Sequence, residues 1–164
     1  TAASANFCEK TWEAGKGPEL TLPALRSLPG EAVPKGREQN VWRWVNVWAT
    51  WCGPCVEEMG LLANWHEALT NDGLNVSFEL LSVDEAEAEA ALKGWLKKPL
   101  PGPVRWARSA QDWGPWLETL GINKDSAIPI HALSGPDGKL RCVRVGALHA
   151  QDYGAVKALI TSAR

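Results

Sequence analysis

The chain has no long hydrophobic run. Its apolar stretches, such as the one at Val45–Trp48, fall far short of the about 20 residues that a membrane-spanning helix needs. It also has little net charge: 17 Lys and Arg against 19 Asp and Glu give −2 at pH 7. No basic tract interrupts that balance, which argues against a nucleic-acid groove and against an anionic lipid surface. Phe, Tyr and Met are scarce, at two, one and one residues, whereas there are ten Trp. The indoles supply core bulk and name no ligand. There is only one C-x-x-C pair, and no His stands at ligand spacing to it, so zinc is not expected and neither is any other metal or cofactor. The first residue is Thr1 rather than Met, which reads as a processed protein or a fragment. A leader or an amino-terminal membrane anchor would lie outside this chain.

What is present is ordinary globular composition over 164 residues, 45% hydrophobic and 22% charged. That predicts one domain spanning 1–164. Residues 1–40 read as an amino-terminal extension, irregular through Gly15, Gly17, Pro18, Pro23, Pro29, Gly30, Pro34 and Gly36. Within it the alternating Glu19–Leu22 is a candidate edge strand ended by Pro23. Residues 41–164 read as the core. Val41–Ala49 is apolar on both faces, with Val45 and Val47 on one side and Trp42, Trp44 and Trp48 on the other. It therefore predicts a central strand sandwiched between helices, with Asn46 as its polar exception.

A helix should follow Trp51-Cys52-Gly53-Pro54-Cys55, with Pro54 in its first turn, and run to Asn71-Asp72-Gly73. Val76–Val83 is the next strand, which completes a βαβ unit. Asp84 stands where a helix N-cap would, with Glu87 three residues later, ahead of an Ala/Glu-rich helix reaching about Lys97. A short strand at Val104–Ala107 and a short helix at Asp112–Leu120 follow. Ala127–Leu133 and Lys139–Val145 make a hairpin across Gly135-Pro136-Asp137-Gly138, and a last helix spans Ala150–Thr161. The expected class is α/β, a central mixed sheet flanked by helices.

Four cysteines allow three pairings, and sequence alone does not choose among them. The Cys52–Cys55 spacing favours a redox pair plus a separate structural disulfide between Cys8 and Cys142; two buried free thiols are the alternative for the latter. Stable disulfides point to an oxidising compartment. Cys52, at a strand-to-helix junction, meets unpaired N–H groups that favour its thiolate, the attacking species in thiol–disulfide exchange. Cys55, one turn on, can close the ring and resolve a mixed disulfide.

The segment Val45–Met59, with Trp-Ala-Thr-Trp-Cys-Gly-Pro-Cys at its centre and Glu58 three residues past Cys55, resembles the active-site segment of the thioredoxin superfamily. It is most similar to the extracytoplasmic TlpA/ResA-type thiol–disulfide oxidoreductases. Ile128-Pro129 with its strand and Gly-Pro-Asp-Gly-Lys turn resembles that branch's cis-proline loop and hairpin. Leu20–Pro23 resembles its amino-terminal hairpin.

The resemblance implies a thioredoxin-like fold with an amino-terminal β extension and a helical insertion. It implies a reductant of protein disulfides outside the cytoplasm, periplasmic or similar, with clients of the apocytochrome c or metallocentre-assembly kind. A membrane thiol-electron donor would re-reduce it. Cys52 is then the nucleophile, Cys55 the resolving thiol and Glu58 the relay for the Cys55 proton. Trp51, Gly53, Pro54, Ile128 and Pro129 would form the substrate surface. Where cytoplasmic thioredoxins carry a buried Asp, this chain has Asn46, which cannot titrate. Ile130 and His131 depart from the Thr often found after the proline.

Other side chains have plainer readings. His66 suits a core boundary, His131 packing, and His149 a turn before the last helix. A metallochaperone that uses Cys52 and Cys55 as soft copper or haem-related ligands is the alternative function.

Overall fold

The computed structural model describes residues 6–28 and 38–162. Pro29, Gly30, Pro34 and Gly36 of the irregular segment lie outside the described residues. Seven strands form one mixed sheet: β1 (Lys10–Thr11), β2 (Leu25–Arg26), β3 (Trp42–Trp48), β4 (Val76–Ser82), β5 (Val104–Ala107), β6 (Ile130–Ser134) and β7 (Leu140–Val145). Their spatial order is β1-β7-β6-β3-β4-β5-β2. The β3–β4 and β4–β5 pairs are parallel, and β3–β6, β6–β7 and both edge pairs are antiparallel. The helices are α1 (Gly53–Glu57), α2 (Met59–Asn71), α3 (Glu89–Leu96), α4 (Ala110–Thr119) and α5 (Tyr153–Ser162).

Strand β3 is central because its apolar side chains leave neither face fit for water, and all seven of its residues are buried. Trp44 stacks on Phe78 of β4 with ring centroids 5.0 Å apart, and Trp65 of α2 meets it edge-on at 6.0 Å. Trp95 of α3 meets Trp48 in the same way at 5.6 Å. Each such pair contributes about 0.5–1.5 kcal/mol beyond its buried area. The opposite face of β3 carries Arg43. This residue is buried and bidentate to Glu79 of β4 at 2.7 and 3.0 Å, and Arg105 of β5 lies 3.5 Å from the same carboxylate.

Three local expectations are corrected. No hairpin forms around Leu20–Pro23 among the described residues. Glu19 makes an isolated bridge to Lys139, and the two-residue strands β1 and β2 lie on opposite edges of the sheet. The segment instead lies along the β6–β7 turn, with Leu20 N–H donating to the Gly138 carbonyl at 2.9 Å and Leu140 N–H to that of Pro18 at 2.8 Å. Gly138, with φ 85°, adopts the left-handed conformation that closes this turn.

Asp84 caps no helix. Its carboxylate is buried and taken up by Thr50 and Ser82, and the following helix starts only at Glu89, after a 3₁₀ turn at Ala86–Ala88. The helix after Cys52 is not continuous: it breaks at Glu58 (φ −83°, ψ −6°) into α1 and α2, where the Glu58 side chain turns inward. The β6–β7 hairpin, the βαβ unit and the last helix fall where the sequence pattern puts them, within a few residues.

Candidate active site

The carboxyl end of β3 hands the chain to α1 through a turn in which Cys52 N–H donates to the Ala49 carbonyl at 3.1 Å. Cys52 is the N-cap of α1. Its backbone is extended, its carbonyl accepts from Val56 N–H at 3.0 Å, and its sulfur lies 3.3 Å from the Cys55 N–H, which donates to it. Pro54 occupies the first turn of α1, where its missing N–H goes unnoticed. Cys52 and Cys55 are disulfide-bonded, with Cα atoms 5.3 Å apart. Cys55 is wholly buried and Cys52 nearly so, at 5% exposure, whereas the adjacent Trp51 is 66% exposed. Of the two sulfurs, that of Cys52 is therefore the one nearer to a partner in solution.

The strand β6 side completes the site. The Ile128–Pro129 peptide bond is cis, and the Ile128 carbonyl oxygen lies 3.9 Å from Cys52 Sγ. Between these elements opens a groove of about 390 Å³. Trp51, Cys52, Gly53, Pro54 and Ile128 line it, together with Ser126, Ala127 and Trp113. Pro129 is not among the lining residues; it presents its carbonyl to Gly146 N–H at 2.9 Å, which fixes the loop. Trp113, on α4, was not foreseen. It stands about sixty residues from the cysteines, and nothing local in the sequence ties it to them.

Glu58 sits at the break between α1 and α2, 4% exposed. Its Oε2 accepts the Leu148 N–H at 2.6 Å, and its Oε1 faces His131 Nε2 at 2.8 Å. His131 is wholly buried in β6, and its Nδ1 accepts the indole N–H of Trp44 at 3.0 Å. The reading of His131 as packing is thus half the story: it packs, and its Nε2 also stands against Glu58 Oε1, although neither atom has a hydrogen-bond partner among the described residues. His131 stands two residues past Pro129, at the start of β6, and that nearness in sequence is the available signal. Asn46, buried, has its Nδ2 3.4 Å from His131 Nδ1 and from the Ile130 carbonyl, and its Oδ1 has no partner among the described residues.

Far from this site, Cys8 and Cys142 form a second disulfide, with Cα atoms 5.5 Å apart, beside the β1–β7 edge. Among the described residues no group of three or more His, Cys, Asp or Glu is placed to hold a metal ion. No helix among them is long and apolar enough to cross a membrane.

No family model matches the chain. The thiol-disulfide oxidoreductase ResA of Bacillus cereus is 28% identical over 117 residues, which cover 71% of this chain and 56% of that protein. The secreted thiol-disulfide isomerase of Corynebacterium glutamicum superposes with a TM-score of 0.68 at 18% identity, covering 93% of this chain and 91% of the other. StoA of Bacillus subtilis does so with a TM-score of 0.58 at 16% identity, covering 85% and 99%. The chain is similar in sequence to ResA-type thiol-disulfide oxidoreductases and shares the thioredoxin-like fold of these solved structures. The chain spans a little over half the length of the Bacillus cereus relative. The mixed sheet and its helices are the α/β thioredoxin-like arrangement of these neighbours.

Proposed function

We propose that this protein is a thiol–disulfide oxidoreductase, acting as a reductant of protein disulfides through Cys52 and Cys55. One observation carries the reading: a bonded cysteine pair at the strand-to-helix turn, with the Cys52 sulfur accepting a helix-terminal N–H. Backbone N–H groups at that position favour a thiolate.

In the reduced protein, the Cys52 thiolate attacks one sulfur of a client disulfide. The client S–S bond breaks, a Cys52–client disulfide forms, and the departing client sulfur leaves as a thiolate that takes up a proton. Cys55 then loses its proton and attacks the Cys52 sulfur. The Cys52–Cys55 bond forms as the second client thiolate departs, so that two electrons have passed to the client. Glu58 serves as the acceptor and relay for the Cys55 proton; its place one helical turn past Cys55 and its burial support the role. The groove beside Ile128 and the cis bond at Pro129 take the extended client chain, with Trp51, Gly53 and Pro54 as its other wall.

The site works within one domain of residues 1–164, in which 1–40 is the extension, tied to the sheet through the Cys8–Cys142 disulfide, and 41–164 the core. A second, structural disulfide suits an extracytoplasmic location, as does likeness to a secreted isomerase. Clients of the cytochrome c or metallocentre-assembly kind, a membrane thiol donor and an anchor rest on the family resemblance alone.

The test is trapping. Cys55→Ser should accumulate clients bound through Cys52, and Cys52→Ser should not. Equal trapping by the two variants reverses the assignment of attacker and resolver, and trapping by neither overturns the reading. A measured potential near that of thioredoxin, about −270 mV, would support a reductant, whereas a value near −120 mV would make the protein an oxidant.

A further inference from the structure

Besides the 3.9 Å approach of Cys52 Sγ to the Ile128 carbonyl, two polar contacts join the halves of the redox site through Glu58. One half is α1, which carries Cys52 and Cys55. The other is β6 with the cis bond at its start and the 146–149 segment beside it. His131 Nε2, two residues beyond Pro129, faces Glu58 Oε1 at 2.8 Å, and the Leu148 N–H reaches Oε2 at 2.6 Å.

The protonation of His131 can be read from its other neighbour. The Trp44 indole nitrogen can only donate, and it points at Nδ1 from 3.0 Å. Nδ1 must therefore offer its lone pair, so the ring proton is on Nε2, the nitrogen that lies 2.8 Å from Glu58 Oε1 without the alignment of a hydrogen bond. A proton added at Nδ1 would set two donors face to face. Asn46, with Nδ2 3.4 Å from the same nitrogen, approaches from that side as well. Among the described residues, no Lys, no Arg and no further carboxylate makes an ion pair with Glu58 or His131. The Trp44–His131–Glu58 chain is buried along its whole length.

We propose that His131 is a positioning residue of the redox centre: its ring, held by the Trp44 indole, sets Nε2 in buried polar contact with Glu58 Oε1 and so confines the carboxyl group for its exchange of a proton with Cys55. The proposal rests on the proton role given to Glu58 above and adds the residue that orients it. His131 itself neither touches the client nor takes the proton. Its job is to fix one carboxylate oxygen and to keep the β6 side of the site in register with α1.

The experiment uses the reduced protein and 5,5′-dithiobis(2-nitrobenzoate). Attack by Cys52 releases one nitrothiobenzoate, and resolution by Cys55 releases the second. The rate of the second release is followed across pH for wild type, Glu58→Gln, His131→Leu, His131→Gln and the Glu58→Gln/His131→Leu double variant, each checked for cooperative unfolding. A positioned proton-transfer group is worth about 10²-fold at the low end. Glu58→Gln should slow the second release by about that factor, and His131→Leu by at least about tenfold. Both should displace the pH profile in the same direction, and the double variant should be no slower than Glu58→Gln. His131→Gln, which keeps an N–H donor, should restore most of the rate.

A wild-type rate and profile in His131→Leu would reduce His131 to packing and overturn the proposal. So would a His131→Gln variant as slow as His131→Leu. Slow resolution in His131→Leu with normal resolution in Glu58→Gln would overturn action through Glu58 and the relay reading together. A slow Glu58→Gln beside a normal His131→Leu would leave the relay standing and sink only this inference.

Discussion

The Asp84 carboxylate holds Thr50 by both of its donors. It accepts the Thr50 backbone N–H at 3.1 Å and its hydroxyl at 2.6 Å, and it also accepts the Ser82 hydroxyl at 2.6 Å. Thr50 lies inside the Ala49–Cys52 turn, so a buried side chain at the end of β4 fastens the turn that delivers Cys52 to α1. The Trp106 indole N–H donates to the Asp84 carbonyl at 2.8 Å and ties β5 into the same knot. Asp84→Ala should therefore leave the half-buried Thr50 and buried Ser82 donors unsatisfied and destabilise the protein by about 2–4 kcal/mol, with Asp84→Asn costing less because an acceptor oxygen remains. Urea unfolding of the three proteins checks this; equal midpoints for Asp84→Ala and wild type would contradict it.

The Arg43–Glu79 pair makes a second prediction. Removing Arg43 leaves the buried Glu79 carboxylate with only the longer Arg105 contact at 3.5 Å, so Arg43→Met should destabilise by about 3 kcal/mol, and Glu79→Met, which strands Arg43, by about 3–5 kcal/mol. Replacing both with apolar residues of similar size should recover most of that loss. Arg43 also donates to the Leu20 carbonyl at 3.1 Å, so part of the loss should persist in the double variant as a loosened amino-terminal segment. Thermal melts combined with amide exchange around Leu20 measure both parts.

The Cys8–Cys142 bond closes a loop with a sequence separation of 134 residues. In the chain-entropy account such a closure is worth about 5 kcal/mol, less where the native state is strained. Paired Cys8→Ser and Cys142→Ser substitutions should lower the denaturation midpoint while leaving the Cys52 trapping assay intact. Loss of trapping in the folded double variant would show that this bond shapes the redox site.

A pH dependence follows from two surface carboxylates. Asp72 is held below its ordinary value first by the hydrogen bond from Lys157 and then by that from Tyr153. Asp112 is held low mainly by the Arg108 hydrogen bond. A carboxylate with a depressed folded-state pKa adds stability above its unfolded value near 3.8, and this is lost as pH falls through the folded value. Asp72→Asn and Asp112→Asn should thus matter at neutral pH and cease to matter in acid. Asp72 is exposed and Asp112 half-buried at the surface, so the effects are small and weaken with salt. Acid titration of stability, wild type against each variant, reads the difference.

How far the sequence reached can be judged residue by residue. The alternation of Trp and Val through 42–48 was enough to place β3 at the centre, since burial on both faces has a one-dimensional signature. The Gly135–Gly138 turn and the Cys52–Cys55 spacing are likewise local, and local chemistry survives in a string of letters. Asp84 shows the limit. Its spacing to Glu87 matched a helix cap, and a partner 34 positions away, Thr50, claimed the carboxylate instead.

The sequence by itself determined the strand and helix alternation, the redox-capable cysteine pair and the candidates for the groove wall around it. Only the tertiary structure decided that Glu58 meets His131, that Trp113 lines the groove and that the amino-terminal strands go to opposite edges of the sheet. The reason is physical. Propensity and period act between neighbours along the chain, whereas hydrogen-bond partners and groove walls are chosen by which distant surfaces become adjacent when the sheet closes.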